Sequence, residues 1–182
     1  MGQEKSQLEH PQGGTFLQLA LKRLKDICHD VIIAGTPPSL DTDDSESTAL
    51  EDPVPHQGPI VGIVQSLSFA KRKHLKACLV TPVDMPNLTT DDLRKLIYAW
   101  RDHGQTTVGI QETDQKLQPL VGIYNIADLA DLTKLAESED RSLSRWIKQQ
   151  PHQAVPLSAR ACHNVNQPQD LKLGDLFQSD QS

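Results

Sequence analysis

Three short stretches of this 182-residue chain combine residue types that can do chemistry. The first is Val80-Thr81-Pro82-Val83-Asp84-Met85-Pro86. It puts a carboxylate just past a short apolar run, followed by a rigid Met-Pro turn. Ligands of open α/β sheets sit outside the carboxyl ends of the strands. A carboxylate placed there can hold Mg²⁺, which is usually shared between one or two carboxylates and substrate phosphates. Asp84 is therefore the leading metal and catalytic candidate, although an Asp ahead of Pro is also ordinary turn chemistry. The second stretch runs from Glu51-Asp52 to Gly58-Pro59-Ile60-Val61-Gly62. A glycine turn that opens a helix lets backbone amides approach an anion or a polar base edge, and Gly58 and Pro59 mark that opening. The third is Asn164-Val165-Asn166, where two amides one residue apart on an extended segment point the same way and can face one ligand.

Composition limits what those residues can serve. The net charge is −6, against a general nucleic-acid binder, which needs a basic surplus for phosphate contacts. The run Lys71-Arg72-Lys73-His74 reads as a solvated helix end, where cations also suit the dipole. Cys28, Cys78 and Cys162 form no CxxC pair, so they read as small apolar residues rather than metal ligands or a disulfide framework. No run approaches the roughly 20 apolar residues of a membrane span, and the N-terminus has no signal-peptide core. A cytoplasmic protein without a membrane or nucleic-acid partner is expected. One domain over 1–182 is expected as well, because this length supports one sizeable core.

The elements that must position these groups follow from periodicity. Phe16, Leu17, Leu19, Ala20, Leu21, Leu24 and Ile27 recur at helical spacing, with Lys22, Arg23, Lys25 and Asp26 assigned to the solvent side. Asp30 to Gly35 reads as a buried strand, and 36–57 as a polar, acidic surface loop, flexible in part. A helix over Gly58–Ala70 and a strand over Ala77–Thr81 come next. Thr89 with Asp92 predicts a capped helix ending at Gly104. Thr106–Gln111 and Leu117–Tyr124 read as a hairpin-like strand pair. They precede helices over Ile126–Glu137 and Arg141–Gln149, a strand over Ala154–Leu157 and a last helix over Pro168–Phe177. Helices alternating with short apolar strands predict a doubly wound, mostly parallel α/β sheet.

Taken together, the motifs resemble the molybdenum cofactor guanylyltransferases, the MobA-type proteins, in order and spacing over nearly the whole chain. That family carries a loop of the form LAGGxSxRMGxxK, then an Asp ahead of GPLAG, then DMP, then NxNTPEDL. The counterparts here are Met1-Gly2-Gln3-Glu4-Lys5, Asp52 with Gly58-Pro59-Ile60-Val61-Gly62, Asp84-Met85-Pro86, and Asn164-Val165-Asn166-Gln167-Pro168-Gln169-Asp170-Leu171. Gln118 to Tyr124 resembles the family's strand before its late helices, and Asp140-Arg141-Ser142-Leu143 a stretch within them. The resemblance implies a Rossmann-like nucleotidyltransferase fold and transfer of GMP from GTP to molybdopterin, with release of pyrophosphate. It also implies that Asp84 holds Mg²⁺, that Gly2 and Lys5 bind the triphosphate, and that Asp52 reads the guanine or helps orient the nucleoside. Asn164 and Asn166 would then line the pterin or metal side. GTP and molybdopterin are the implied small-molecule partners, with molybdoenzyme apoproteins or other cofactor-biosynthesis proteins as protein partners. This chain departs from the family at Ala34, where a polar residue is usual, and at Gln167-Pro168, where Thr-Pro is usual.

Met1 coincides with the methionine inside the family's own loop, so the strand and glycine-rich half-loop before it are lacking. A natural protein extending upstream by about a dozen or more residues is expected. The 182-residue chain is expected to bind GTP poorly without the cradling amides. Two alternatives share the fold: a cytidylyltransferase of the same pterin, or a guanylyltransferase for another phosphorylated acceptor. A third, of another class, is a non-catalytic paralogue that binds a nucleotide or a partner.

Overall fold

A computed structural model describes residues 13–36, 48–51 and 58–165. Helix α1 spans Phe16–Lys25 and is entered through a capping box, in which the Gln18 amide donates to the Thr15 hydroxyl and the Thr15 amide to the Gln18 side chain. Strand β1, Ile32–Thr36, pairs in parallel with β2, Thr48–Glu51, in the register Ile32 to Thr48 and Ala34 to Leu50. The sequence reading placed β2 inside a loop. Its Thr-Ala-Leu-Glu carries too little apolar character to mark a strand, and among the described residues its sheet partner is β1.

Helix α2, Pro59–Arg72, opens with Pro59 after Gly58, whose φ of 82° suits glycine. Strand β3, Ala77–Val80, follows, then α3, Thr90–His103, capped by Thr89 and Asp92 and closed by left-handed Gly104. Strands β4, Thr106–Gln111, and β5, Leu117–Asn125, form the expected antiparallel pair. A 3-10 turn at Ile126–Asp128 leads into α4, Leu129–Glu137; α5, Leu143–Gln149, and β6, His152–Leu157, complete the described chain. The proposed helix over Pro168–Phe177 lies outside the described residues.

The larger sheet has the order β3-β5-β4-β6. Strand β5 runs against β3 and β4 while β6 runs with β4, so β5 alone opposes the direction of the others. The sheet is thus mixed, with helices on both faces. On one face Val108 and Tyr124 pack with Ile63 and Leu67 of α2, Leu132 of α4 and Ile147 of α5. On the other, Val121, Ile123 and Leu157 pack with Leu93 and Leu96 of α3. Glycines let strands and side chains close in: a Cβ on Gly122 would stand 2.9 Å from the Thr107 carbonyl oxygen, and one on Gly109 2.4 Å from Leu157 Cδ1.

Strand β1 pairs only with β2, and β3 only with β5, among the described residues. Helix α2 packs on both β1 and β3 and so bridges the two sheets. Between the two strands lies a cavity of about 930 Å³, lined on its strand sides by Ile32, Ala34, Cys78 and Val80.

Candidate active site

Asp84 stands four residues past the end of β3, in a turn held from two distant parts of the chain. The Arg23 guanidinium of α1 donates to the Met85 carbonyl at 3.1 Å and also to the Pro86 carbonyl. The buried Val165 amide donates to the Asp84 carbonyl at 2.8 Å. Phe16, at the start of α1, packs with Val165 and Val83 and closes the same junction with apolar contact. The turn is therefore fixed by its backbone. Among the described residues no hydrogen bond or ion pair engages the Asp84 carboxylate itself.

Arg23 corrects the sequence reading, which put it on the solvent face of α1. It is only 7% exposed. Phe16, Ala20 and Arg23 follow one another at i, i+4 and i+7, so all three share the inward stripe of the helix. That spacing was a usable signal, overridden by the charge of the side chain. Burial pushes the guanidinium pKa down, yet Arg remains protonated in proteins. The two carbonyls serve as its polar partners.

The cavity brings the predicted groups partly together. Ala34 and Gly35 of β1, Gly58 and Pro59 at the start of α2, and Thr81 and Asp84 after β3 all line it. The α2 N-terminus contributes a positive dipole end, and its first turn carries no acidic residue to cancel it. Asn164 has an exposed side chain and is brought beside Asp84 through the Val165 backbone. Gly2, Lys5, Asp52 and Asn166 lie outside the described residues.

The donor chemistry suits a metal shared with substrate. Among the described residues no three His, Cys, Asp or Glu side chains converge into a metal cage. A lone hard carboxylate matches Mg²⁺ that keeps most of its coordination for phosphate oxygens and water. The cysteines add no nucleophile. All three are free thiols, and Cys162 is buried. Burial, aided by Cys28, pushes the Cys78 thiol up to about 11, so it stays protonated at neutral pH. Among the described residues no helix is long and apolar enough to cross a membrane.

Comparison with known proteins agrees with this architecture. Residues 1–155 match the family model of the MobA-like NTP transferase domain. A relative from Rhodopirellula baltica named "Probable molybdenum cofactor guanylyltransferase" is 39% identical over 183 aligned positions, covering 94% of this chain and 83% of the relative. The solved structure of molybdopterin-guanine dinucleotide biosynthesis protein A from Archaeoglobus fulgidus superposes with a TM-score of 0.68 at 19% identity, covering 99% of this chain and 93% of that one. The 2-C-methyl-D-erythritol 4-phosphate cytidylyltransferase from Thermus thermophilus gives a TM-score of 0.69 at 18% identity, over 96% and 93% of the two chains. With the family model spanning most of the sequence and a curated relative this similar, the chain belongs to the MobA-like NTP transferase family of nucleotidyltransferases.

Proposed function

We propose that this nucleotidyltransferase moves GMP from GTP to molybdopterin. The observation that carries the reading is the Asp84 carboxylate, held by its backbone at the rim of a cleft shared with the α2 N-terminus and left unengaged among the described residues. An oxygen of the acceptor's terminal phosphate attacks the α-phosphorus of GTP. The bond from that phosphorus to the bridging oxygen breaks, and pyrophosphate leaves with the electron pair. Reactions of this type need alignment and charge neutralisation more than covalent help from the protein.

In this reading Asp84 holds Mg²⁺, which when bound neutralises the phosphate charge. Gly2 and Lys5 bind the triphosphate. Asp52, Gly58 and Pro59 orient the nucleoside, with the α2 N-terminus offering its amides. Asn164 and Asn166 line the pterin side, and the Arg23 clamp keeps the Asp84 turn from drifting. Molybdoenzyme apoproteins or cofactor-biosynthesis proteins are the expected recipients.

The test is dinucleotide formation from molybdopterin and Mg²⁺ with millimolar GTP, with CTP in a parallel reaction and Asp84→Asn as control. A guanine dinucleotide that disappears in Asp84→Asn supports the assignment. Product from CTP but not GTP overturns the base, and transfer unchanged in Asp84→Asn overturns the role of the carboxylate.

A further inference from the structure

We propose that the C-terminal end of α2, from Lys71 to Lys76, is a docking surface for an acidic segment of a partner protein that carries an apolar side chain beside its carboxylates. The inference rests on this surface alone and is independent of the transfer reaction.

Charge comes first. Lys71, Arg72, Lys73 and Lys76 place four formal positive charges within six positions of a chain whose net charge is −6. All six residues from Lys71 to Lys76 are exposed. The α2 dipole favours cations in the last turn, which accounts for Lys71 and Arg72. It does not account for Lys76, which stands beyond the helix, or for the lack of counter-charge. Arg94, Lys95, Lys134 and Arg145 each pair with a nearby carboxylate. Among the described residues no carboxylate pairs with Lys71, Arg72, Lys73 or Lys76.

Geometry then gathers the cations. The Arg72 guanidinium carbon lies 5.8 Å from the centroid of the Phe69 ring, and the Lys73 ammonium nitrogen 5.7 Å from it. Two like charges are thus held at one aromatic ring by its π electrons instead of splaying into solvent. Side chains already ordered in the free protein lose less entropy when an anion binds.

The backbone adds a third observation. Helix α2 closes in a Schellman arrangement, in which the His74 amide donates to the Lys71 carbonyl at 3.1 Å and the Leu75 amide to the Ala70 carbonyl at 2.9 Å. This puts His74 in the left-handed region, with a φ of 56°. Glycine suits that position, as Gly104 does at the end of α3. A histidine held there against its backbone preference, and exposed among cations, points to a role for its side chain. Leu75, next in the chain, is 43% exposed and offers an apolar contact between His74 and Lys76.

These features select the partner. Carboxylates complement the cations, and Leu75 complements an apolar side chain, a combination that an acidic protein segment supplies. The overall negative charge of the chain repels a long polyanion or an anionic membrane surface. The run lies at the far end of the 14-residue α2 from Gly58 and Pro59, about 20 Å away by helical rise. A segment docked there leaves the Asp84 rim of the cleft open.

The test is fluorescence anisotropy of a labelled synthetic peptide of six glutamates and two central leucines, titrated with the 182-residue chain at low and physiological salt. Binding is expected to weaken as salt rises, and to weaken about tenfold in the double variant Arg72→Glu, Lys73→Glu. A second variant, His74→Gly, should raise Tm by about 2 °C as the left-handed strain is relieved, while the peptide binds about threefold more weakly. Four results would each overturn the proposal: no binding of the peptide, equal binding of a peptide with serines in place of the leucines, tighter binding of polyuridylate or of phosphatidylglycerol vesicles, or an affinity unchanged in either variant.

Discussion

Replacing Arg23 by Met keeps an unbranched apolar stem in the inward stripe of α1 and deletes the guanidinium. Arg23 is 7% exposed and reaches two main-chain carbonyls that lie 62 and 63 residues away in sequence. A net hydrogen bond to a charged group contributes about 1.5–3 kcal/mol. Two such bonds, less the relief of no longer burying a charge, leave a net loss of about 3 kcal/mol. For a chain of this size that corresponds to a fall in Tm of about 6–12 °C. Arg23→Lys keeps the charge but offers a point donor instead of a planar fork, so about half of the loss should remain. Urea titrations of the three proteins measure the stability change. Hydrogen exchange at the Val165 amide, which donates to the Asp84 carbonyl at 2.8 Å, reports on the turn itself and should accelerate in Arg23→Met. If Arg23→Met stayed within about 0.5 kcal/mol of the parent and Val165 exchange did not change, the clamp argument would be refuted.

Two further outcomes are expected. Gly122→Ala should cost about 3 kcal/mol in a urea titration, because the new methyl would meet the Thr107 carbonyl oxygen and Val108 Cγ1, each at 2.9 Å; a loss below about 0.5 kcal/mol would mean that β4 and β5 can spread. At Asp92, burial alone would raise the carboxyl pKa, but hydrogen bonds from the Thr89 hydroxyl, Lys95 and the Thr89 amide hold it below the ordinary carboxylate range. A lowered folded-state pKa gives stability that is present above about pH 4 and lost as pH falls through the folded value. Urea midpoints of Asp92→Asn between about pH 2 and 5 should therefore fall less steeply than those of the parent, and parallel curves would remove Asp92 from the account.

Much of the architecture was legible because its determinants are local. The Thr89 and Asp92 capping box, the stop at Gly104 and the polar turn between β4 and β5 are short-range devices, and each element appears where its residues predicted it. The candidate site was legible in a different way. Asp84 stands out in the sequence beside a strand end and Gly58 and Pro59 at a helix start, and all three line one cavity. What escaped depends on partners far along the chain. Strand β2 has no apolar signature and exists through β1, and Arg23 looked solvated because its two carbonyl partners are not visible in a helical wheel.

By itself the sequence determined the alternation of helices and strands, their caps and the family motifs, since periodicity and capping act within a few residues. Only the tertiary structure decided that β5 runs against its neighbours, that a cation is buried beneath the Asp84 turn and that residues of β1, β3 and the α2 N-terminus line one cavity. The physical reason is that strand direction, the desolvation of a charge and the pairing of a backbone edge are settled by whichever groups arrive from elsewhere in the chain.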